Sequence, residues 1–168
     1  MISSKYPSII FYFVIVVALT IPAFYYNNLP VQIASHFNAK GQADGWMNKS
    51  SYMLTNYLIL IAMIIMFLSI NFFIKKAPDS MINIPNKKYW FDPARKETAI
   101  NVVKNFIYLM GAMTISFITL ISWEVYKANL NRTYNLGNSM WFYFSILFTG
   151  TIFFVIKMYY YFNKIENH

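Results

Sequence analysis

The stretch PSIIFYFVIVVALTIPAFYY, residues 7–26, decides the fold class, because it is twenty residues long and contains no charge. About 20 helical residues cross the roughly 30 Å hydrocarbon core of a bilayer. Backbone N–H and C=O groups at that depth must bond to one another, which favours a helix. The run follows Lys5 as a signal peptide would, but it stays apolar to Tyr26 without a small-residue cleavage pattern, so we expect a retained helix.

Three further apolar runs repeat this pattern, and the composition of the whole chain agrees with it. The 168 residues are 58% hydrophobic and 12% charged, with a mean hydropathy of +0.40, whereas a soluble domain carries about 25% charged residues. None of the runs alternates as the strands of a membrane β-barrel do.

We therefore predict an all-α integral membrane protein, a single polytopic domain over residues 1–168. Its four transmembrane helices are expected at about 7–26, 52–74, 105–123 and 140–160, with an outer loop at 27–51, an inner loop at 75–104 and a second outer loop at 124–139.

The basic residues predict the orientation of these helices. If both termini are cytoplasmic, the inner side holds ten lysines and arginines and the outer side holds four. Cytoplasmic loops carry such an excess of positive charge, so we expect cytoplasmic N- and C-termini. The net charge of +8 then faces anionic lipid rather than nucleic acid. The ten are Lys5, Lys75, Lys76, Lys87, Lys88, Arg95, Lys96, Lys104, Lys157 and Lys164, and the four are Lys40, Lys49, Lys127 and Arg132.

A polar, glycine-bearing stretch, SHFNAKGQADGW at residues 35–46, interrupts the apolar sequence. Apolar residues that alternate with polar ones at its start, as in a short strand, are Val31, Ile33 and Phe37. Gly41 and Gly45 lie among turn-forming residues and are free to adopt positive φ. We predict a short β-hairpin-like outer loop between helices 1 and 2, whose return limb is anchored by Trp46.

The same loop carries a motif. Leu29-Pro30 is followed by Ile33, His36-Phe37-Asn38, Gly41, Asp44-Gly45 and Lys49. This order resembles the signature of the bacterial membrane-protein family catalogued as domain of unknown function 1648, with one departure at Ala34, where the family commonly has proline. The resemblance covers residues 28–49. Some relatives of that family, with longer chains and more spans, are immunity and signalling proteins against a secreted peptide toxin, so the resemblance implies an immunity, sensing or accessory role.

A second stretch, NIPNKKYWFDPARKE at residues 83–97, is similar to the inner loop of family members. Its mixture of basic and aromatic residues suits contact with lipid headgroups, and a cytoplasmic docking site is the alternative. Asp92 and Pro93 are typical of a helix start, and we expect that helix to continue into the third span. The candidate residues for docking or lipid contact at the inner surface are Asn83, Pro85, Lys87, Lys88, Trp90 and Arg95.

His36 is the outer loop's candidate for pH- or metal-dependent chemistry, since imidazole titrates near neutrality and is a common metal ligand. Asp44 and Glu124 fall on the same predicted side, but one imidazole and two carboxylates make a poor zinc site. We expect His36 to cap or cross-link the loop by hydrogen bonds, with contact to a ligand as the alternative. For Glu124 we expect an ion pair with Lys127 at i,i+3, with His36 or Lys49 as the alternative partner.

The outer candidates together outline one possible site. Lys49 is expected to clamp the loop or to bind a lipid phosphate. The candidate ligand-contacting or loop-forming residues are His36, Phe37, Asn38, Gly41, Asp44, Gly45, Trp46, Lys49 and Glu124.

Several kinds of chemistry find no support in the sequence. The absence of cysteine excludes disulfides and thiolate catalysis, and no nucleotide-binding, hydrolase or zinc-protease motif is present. No charged residue lies deep in a predicted span, where ion-coupled transporters usually need one. We predict a non-enzymatic protein of the bacterial cell membrane, without metal or cofactor, whose outer loop contacts a peptide, a lipid or a membrane-protein partner.

Two other functions remain open, as does the oligomeric state. The first is a small transporter or permease subunit, and the second is a metal-dependent sensor or enzyme centred on His36, Asp44 and Glu124. The polar path that a transporter would need is formed by Asn56, Asn71, Thr114 and Thr119.

Overall fold

Four long helices dominate the structure, a computed structural model that describes residues 5–165. The helices are α1 (Tyr6–Tyr26), α2 (Lys49–Phe73), α3 (Lys87–Trp90), α4 (Lys96–Leu130) and α5 (Ser139–Asn163), and a 3₁₀ turn covers Asp79–Met81. Strands β1 (Gln32–Phe37) and β2 (Ala43–Asn48) form an antiparallel sheet between α1 and α2. The predicted architecture is thereby confirmed: four long apolar helices, with a two-stranded sheet between the first and the second.

The four long helices are each long and apolar enough to cross a membrane, judged by length and composition. Their most apolar windows have mean hydropathies between 1.7 and 2.3. Residues 1–4 and 166–168 lie outside the described part of the chain, and the side on which the two termini lie stays a prediction. We refer below to the hairpin end of the bundle, where β1 and β2 lie, and to the α3 end opposite.

Helix α4 extends beyond the predicted third span at both ends; the N-terminal extension was expected from the helix start at Asp92, and the one past Glu124 was not. The helix has 35 residues rather than the span of 105–123, which corresponds to about 52 Å at 1.5 Å per residue. The predicted limits fell where the apolar run meets Lys104 and Glu124, but charged residues do not interrupt backbone hydrogen bonds. Helix α4 is therefore longer than the roughly 30 Å thickness of a hydrocarbon layer, and it gives the loops at its ends a rigid attachment.

The helix starts follow the expected chemistry. Asn48 caps α2, because its side chain accepts a hydrogen bond from the N–H of Ser50 at 2.9 Å. Asp92 begins the turn that leads into α4: its carboxylate accepts from the N–H of Ala94 at 3.0 Å, and its carbonyl accepts from Lys96. The expected helix start at Asp92 is therefore present, although regular α-helix begins at Lys96.

Helices α1, α2 and α4 form the core of the bundle, with α4 in contact with both of the others. Gly111 of α4 permits the close approach of α1, because a Cβ atom there would lie 2.6 Å from the ring of Phe11 and 2.9 Å from that of Phe67. The central cluster of buried side chains comprises Phe11, Ala18, Leu60, Ala112 and Ile115.

Helix α5 is peripheral, and α4 is the one long helix on which it packs extensively. None of its most apolar window is buried within the bundle. Its C-terminal end is fixed by Phe162, whose carbonyl accepts hydrogen bonds from the indole of Trp90 at 2.8 Å and from the side chain of Asn86 at 3.1 Å. The ring of Phe162 is fully buried among residues of the 82–84 segment and the first turns of α4.

A further cluster of buried residues joins the hairpin to the helices. It contains Leu29, Ile33, Tyr52, Met53, Val125, Tyr126, Ala128 and Leu136, from α2, α4, β1 and the connecting segments. Burial of side chains from five separate elements makes the hairpin part of the folded bundle rather than a free loop.

Candidate functional site

The hairpin pairs in an antiparallel register that runs from Gln32 opposite Asn48 to Phe37 opposite Ala43. The register is irregular around His36, which lies opposite Gly45. A Cβ atom at Gly45 would lie 2.8 Å from the Cβ of His36, so glycine leaves room for the histidine side chain. The predicted hairpin is therefore present, with an irregular register at His36.

The turn of the hairpin is organised by Asn38 and Gly41. The Asn38 side-chain oxygen accepts hydrogen bonds from the N–H groups of Lys40 at 2.9 Å and Gln42 at 3.1 Å. Gly41 has a φ of 76°, in the left-handed region that favours glycine, and its N–H donates to the carbonyl of Asn38 at 2.8 Å. These two predicted residues therefore form the loop.

Asn129 of α4 holds the hairpin to the bundle, and it was not among the residues predicted to contact the hairpin. Its side-chain oxygen accepts from the N–H of Ala34 at 2.8 Å, and its nitrogen donates to the carbonyl of Ala34 at 3.0 Å and to that of Val125 at 2.9 Å. Asn129 is 1% exposed and Ala34 is fully buried. The one sequence signal for this contact is the position of the Asn129 amide. It lies three residues after Tyr126, where α4 continues past the end of its apolar run.

The segment before α5 provides a second attachment. The N–H of Ala43 donates to the carbonyl of Tyr134 at 3.0 Å, and the N–H of Leu136 donates to that of Gly41 at 2.8 Å. Gln42 and Asn135 form an antiparallel bridge, and Trp46 packs edge-on against Tyr134 with ring centroids 4.7 Å apart. We call the hairpin, residues 32–48, together with residues 131–138 the hairpin platform.

Lys49 clamps the connection into the hairpin. Its ammonium donates to the carbonyl of Leu29 at 3.1 Å and lies 4.8 Å from the ring centre of Tyr26. Of the two predicted roles, the structure places Lys49 in the loop clamp. Two other predicted residues differ in exposure. Phe37 is partly buried and packs against the cluster that joins the hairpin to the helices, whereas Trp46 is 51% exposed.

His36 and Asp44 form an exposed pair on the hairpin. The imidazole Nδ1 lies 2.5 Å from a carboxylate oxygen of Asp44, and the two side chains are 75% and 44% exposed. Such surface pairs contribute about 0–1 kcal/mol, so the pair orients the two groups more than it stabilises the fold. This is the hydrogen-bonded cross-link expected for His36, and both groups stay open to solvent.

Glu124 lies apart from that pair. Its carboxylate forms the expected ion pair with Lys127 at 2.9 Å and accepts a hydrogen bond from the hydroxyl of Tyr143 at 2.8 Å. The alternative partners have other contacts: His36 pairs with Asp44, and Lys49 donates to the carbonyl of Leu29. Between residues 5 and 165, no three histidine, aspartate or glutamate side chains come together as a metal site.

Polar side chains are also buried within the helical bundle. The Asn56 amide donates to the hydroxyl of Ser122 at 2.6 Å. Within the described residues, the Asn56 side-chain oxygen, the Asn71 side-chain oxygen and the Tyr126 hydroxyl are buried without a protein hydrogen-bond partner. Thr119 bonds to the carbonyl of Ile115 in its own helix. The residues of the alternative transport path are thus spread along the bundle, and Asn56 and Thr119 bond within it.

The candidates at the α3 end have mainly structural contacts. Trp90 bonds to Phe162 and stacks on Tyr161, with ring centroids 5.3 Å apart. The Arg95 guanidinium lies 4.1 Å from the ring centre of Tyr89 and donates to the Tyr89 carbonyl at 2.9 Å.

The remaining candidates at this end are more open. Lys87 lies 5.7 Å from the ring centre of Phe91, and Lys88 is exposed. Asn83 and Pro85 line a shallow groove of about 480 Å³ beside α5. Docking or lipid contact at these residues stays a prediction.

Comparison with known proteins gives one match, which covers α1 from Phe13, the hairpin and the first half of α2. Residues 13–61 match the family model described as Domain of unknown function (DUF1648). No curated protein and no solved structure matches the chain. The similarity expected at residues 83–97 lies outside the matched segment and stays a prediction. Over residues 13–61 the chain is therefore similar to the DUF1648 family, and the resemblance predicted from its loop motif is confirmed for that segment.

Proposed function

We propose that this chain is a multi-pass protein of the bacterial cell membrane, with both termini in the cytoplasm and the hairpin platform on the outer surface. Four helices of suitable length and hydropathy support the insertion. The excess of lysine and arginine at the α3 end, ten against four, supports the orientation. In this arrangement α4 spans the bilayer, and its last turns carry Asn129 and the platform above the lipid.

The protein functions as a non-enzymatic immunity, sensing or accessory module whose platform binds a peptide outside the cell. The observation that carries this proposal is the double attachment of the hairpin, through Asn129 and through residues 134–136, while His36, Asp44 and Trp46 remain exposed. A surface that is already ordered loses less conformational entropy when it binds. A half-exposed tryptophan two residues from the hydrogen-bonded Asp44 provides the aromatic and polar groups that are frequent at binding sites.

A survival assay tests the peptide-binding role. The chain is expressed in a bacterial host, and the cells are exposed to a panel of cationic membrane-active peptides. We expect the wild-type chain to raise the tolerated concentration of at least one peptide, and the His36→Ala/Trp46→Ala double variant to lose that protection. The Lys88→Ala variant, changed at the opposite end, serves as the control.

The double variant must also reach the membrane in the same amount and melt at the same temperature as the wild type. Equal survival with the wild-type chain and with an empty vector against every peptide would contradict the immunity role. Full protection by a correctly folded double variant would remove the platform from the mechanism.

A further inference from the structure

A groove runs along α4 between α1 and α5 near the α3 end, and it encloses about 570 Å³. It exists because α5 packs on α4 and has no extensive interface with α1. Phe106 and Leu109 of α4 form its floor, while Pro7 and Ile10 belong to the α1 wall. Its volume lies within the usual range of small-molecule sites, about 300–1,000 Å³.

The groove is apolar along its length and basic at one end. On the α5 wall, Phe154 packs edge-on against Phe106, with ring centroids 6.5 Å apart. One turn beyond Phe153, Lys157 also lines the groove, and its ammonium lies 5.5 Å from the Phe153 ring centre. Lys5 directly precedes the groove residue Tyr6 and is exposed.

Within the described part of the chain, neither cation at this end has an ion-pair partner. The groove therefore offers an apolar channel with Lys157 at one end and Lys5 adjacent in sequence to its lining residue Tyr6. An elongated apolar molecule with an anionic head has the complementary chemistry.

We propose that this groove binds one anionic phospholipid, with an acyl chain against Phe106 and Leu109 and the phosphate at Lys157 and Lys5. The inference rests on the membrane location given under the proposed function. A helix from a second copy of the chain fits less well, because α1, α2 and α5 contain no acidic residue that could pair with Lys157. A zwitterionic lipid would fill the apolar channel equally well, but its headgroup would be attracted less strongly to the lysines because it has no net negative charge.

Lipid retention by the purified full-length protein tests the proposal. The protein in mild detergent is mixed with equal amounts of phosphatidylglycerol and phosphatidylcholine that carry identical acyl chains, and native mass spectrometry counts the retained lipids. We expect one retained lipid per chain with a preference for phosphatidylglycerol. Replacement of Lys157 in a Lys157→Gln variant should reduce this preference by about fivefold, the ratio that corresponds to about 1 kcal/mol for one lysine at an anionic surface.

Two further variants separate the channel from the charge. Leu109→Trp fills the floor of the groove and should remove the retained lipid of both kinds, whereas Leu58→Trp on the exposed face of α2 should leave retention unchanged. Lys76→Gln is the matched charge control, because Lys76 is exposed at the end of α2 and does not line the groove.

Several results would overturn the proposal. The first is that the wild-type protein retains both lipids equally. The second is that Lys76→Gln and Lys157→Gln lose the preference for phosphatidylglycerol to the same extent. The third is that the wild-type protein is a dimer without retained lipid and that the Leu109→Trp variant is a monomer. The readout does not involve the hairpin platform or the sidedness of the membrane. A failed peptide-survival assay therefore leaves the lipid result standing, and a failed lipid assay leaves the peptide result standing.

Discussion

The side-chain amide of Asn129 bonds to both the N–H and the carbonyl of Ala34, at 2.8 and 3.0 Å, across 95 residues of sequence. This paired contact joins the hairpin to the longest helix of the bundle. Because both residues are buried, water cannot replace the bonds if one partner is lost. Of the two attachments of the hairpin, the one to α4 therefore depends on this asparagine.

Replacement of Asn129 by leucine should destabilise the protein. The change leaves the N–H and carbonyl of Ala34 buried without partners, and each such group costs about 1–3 kcal/mol. We expect a clear fall in the melting temperature measured in detergent. Asn131→Leu, an exposed change two residues later, is the control and should melt close to the wild type.

Replacement of Ala34 by proline should also destabilise this chain, although proline is common at this position in the family that the loop motif resembles. Proline has no N–H, so the Ala34→Pro variant would leave the Asn129 side-chain oxygen without its donor. We expect a loss of about 1–3 kcal/mol. In the Ala34→Pro/Asn129→Leu double variant the loss should be smaller than the sum of the single losses, because both changes break the same contact. Additive losses would show that the two residues act independently.

Substitution of Gly41 by alanine should cost more than the same change at Gly137. Both glycines have positive φ, 76° and 57°, so both variants carry a backbone cost of roughly 1–2 kcal/mol. A Cβ at Gly41 would also lie 2.9 Å from the carbonyl oxygen of Gly137, whereas nothing lies within 4 Å of one at Gly137. The difference between the two melting temperatures measures the contact between the hairpin turn and residues 131–138. Equal melting temperatures would argue against that contact.

A Trp90→Phe variant should loosen the end of α5. The change keeps an aromatic ring but removes the indole donor to the Phe162 carbonyl, a bond worth about 0.5–1.5 kcal/mol. We expect faster amide hydrogen exchange in the last two turns of α5 and little change in α1. The Tyr160→Phe variant, altered at an exposed ring on the same helix, should exchange like the wild type.

Hydropathy and turn chemistry were sufficient to predict the elements of this fold. An uncharged run such as residues 7–26 has few alternatives to a helix, and Asn38 with Gly41 specifies a tight turn between two short strands. The C-terminal end of α4 was missed because the apolar run stops at Glu124 while the helix continues to Leu130. Hydropathy reports how apolar the side chains are, whereas the ends of a helix are defined by its backbone hydrogen bonds.

The contacts between elements could not be predicted in the same way. Asn129 and Ala34 are distant in sequence, and neither residue type indicates the other as its partner. All four long helices are similarly apolar, so the sequence did not indicate that α5 would lie outside the bundle and leave a groove beside α1. At the candidate site, the pairing of Glu124 with Lys127 was predictable from their i,i+3 spacing, whereas its bond to Tyr143 depends on how α5 packs.

Cysteine labelling tests the central claim, that lipid surrounds the helices and the hairpin platform faces outward. The chain contains no cysteine, so each variant carries a single reactive thiol. A membrane-impermeant maleimide is applied to intact cells that express either Lys40→Cys, in the hairpin turn, or Lys88→Cys, beside α3. We predict labelling of the Lys40→Cys variant in intact cells and of the Lys88→Cys variant only after the cells are permeabilised. Labelling of Lys88→Cys with protection of Lys40→Cys, or equal labelling of both variants in intact cells, would contradict the account.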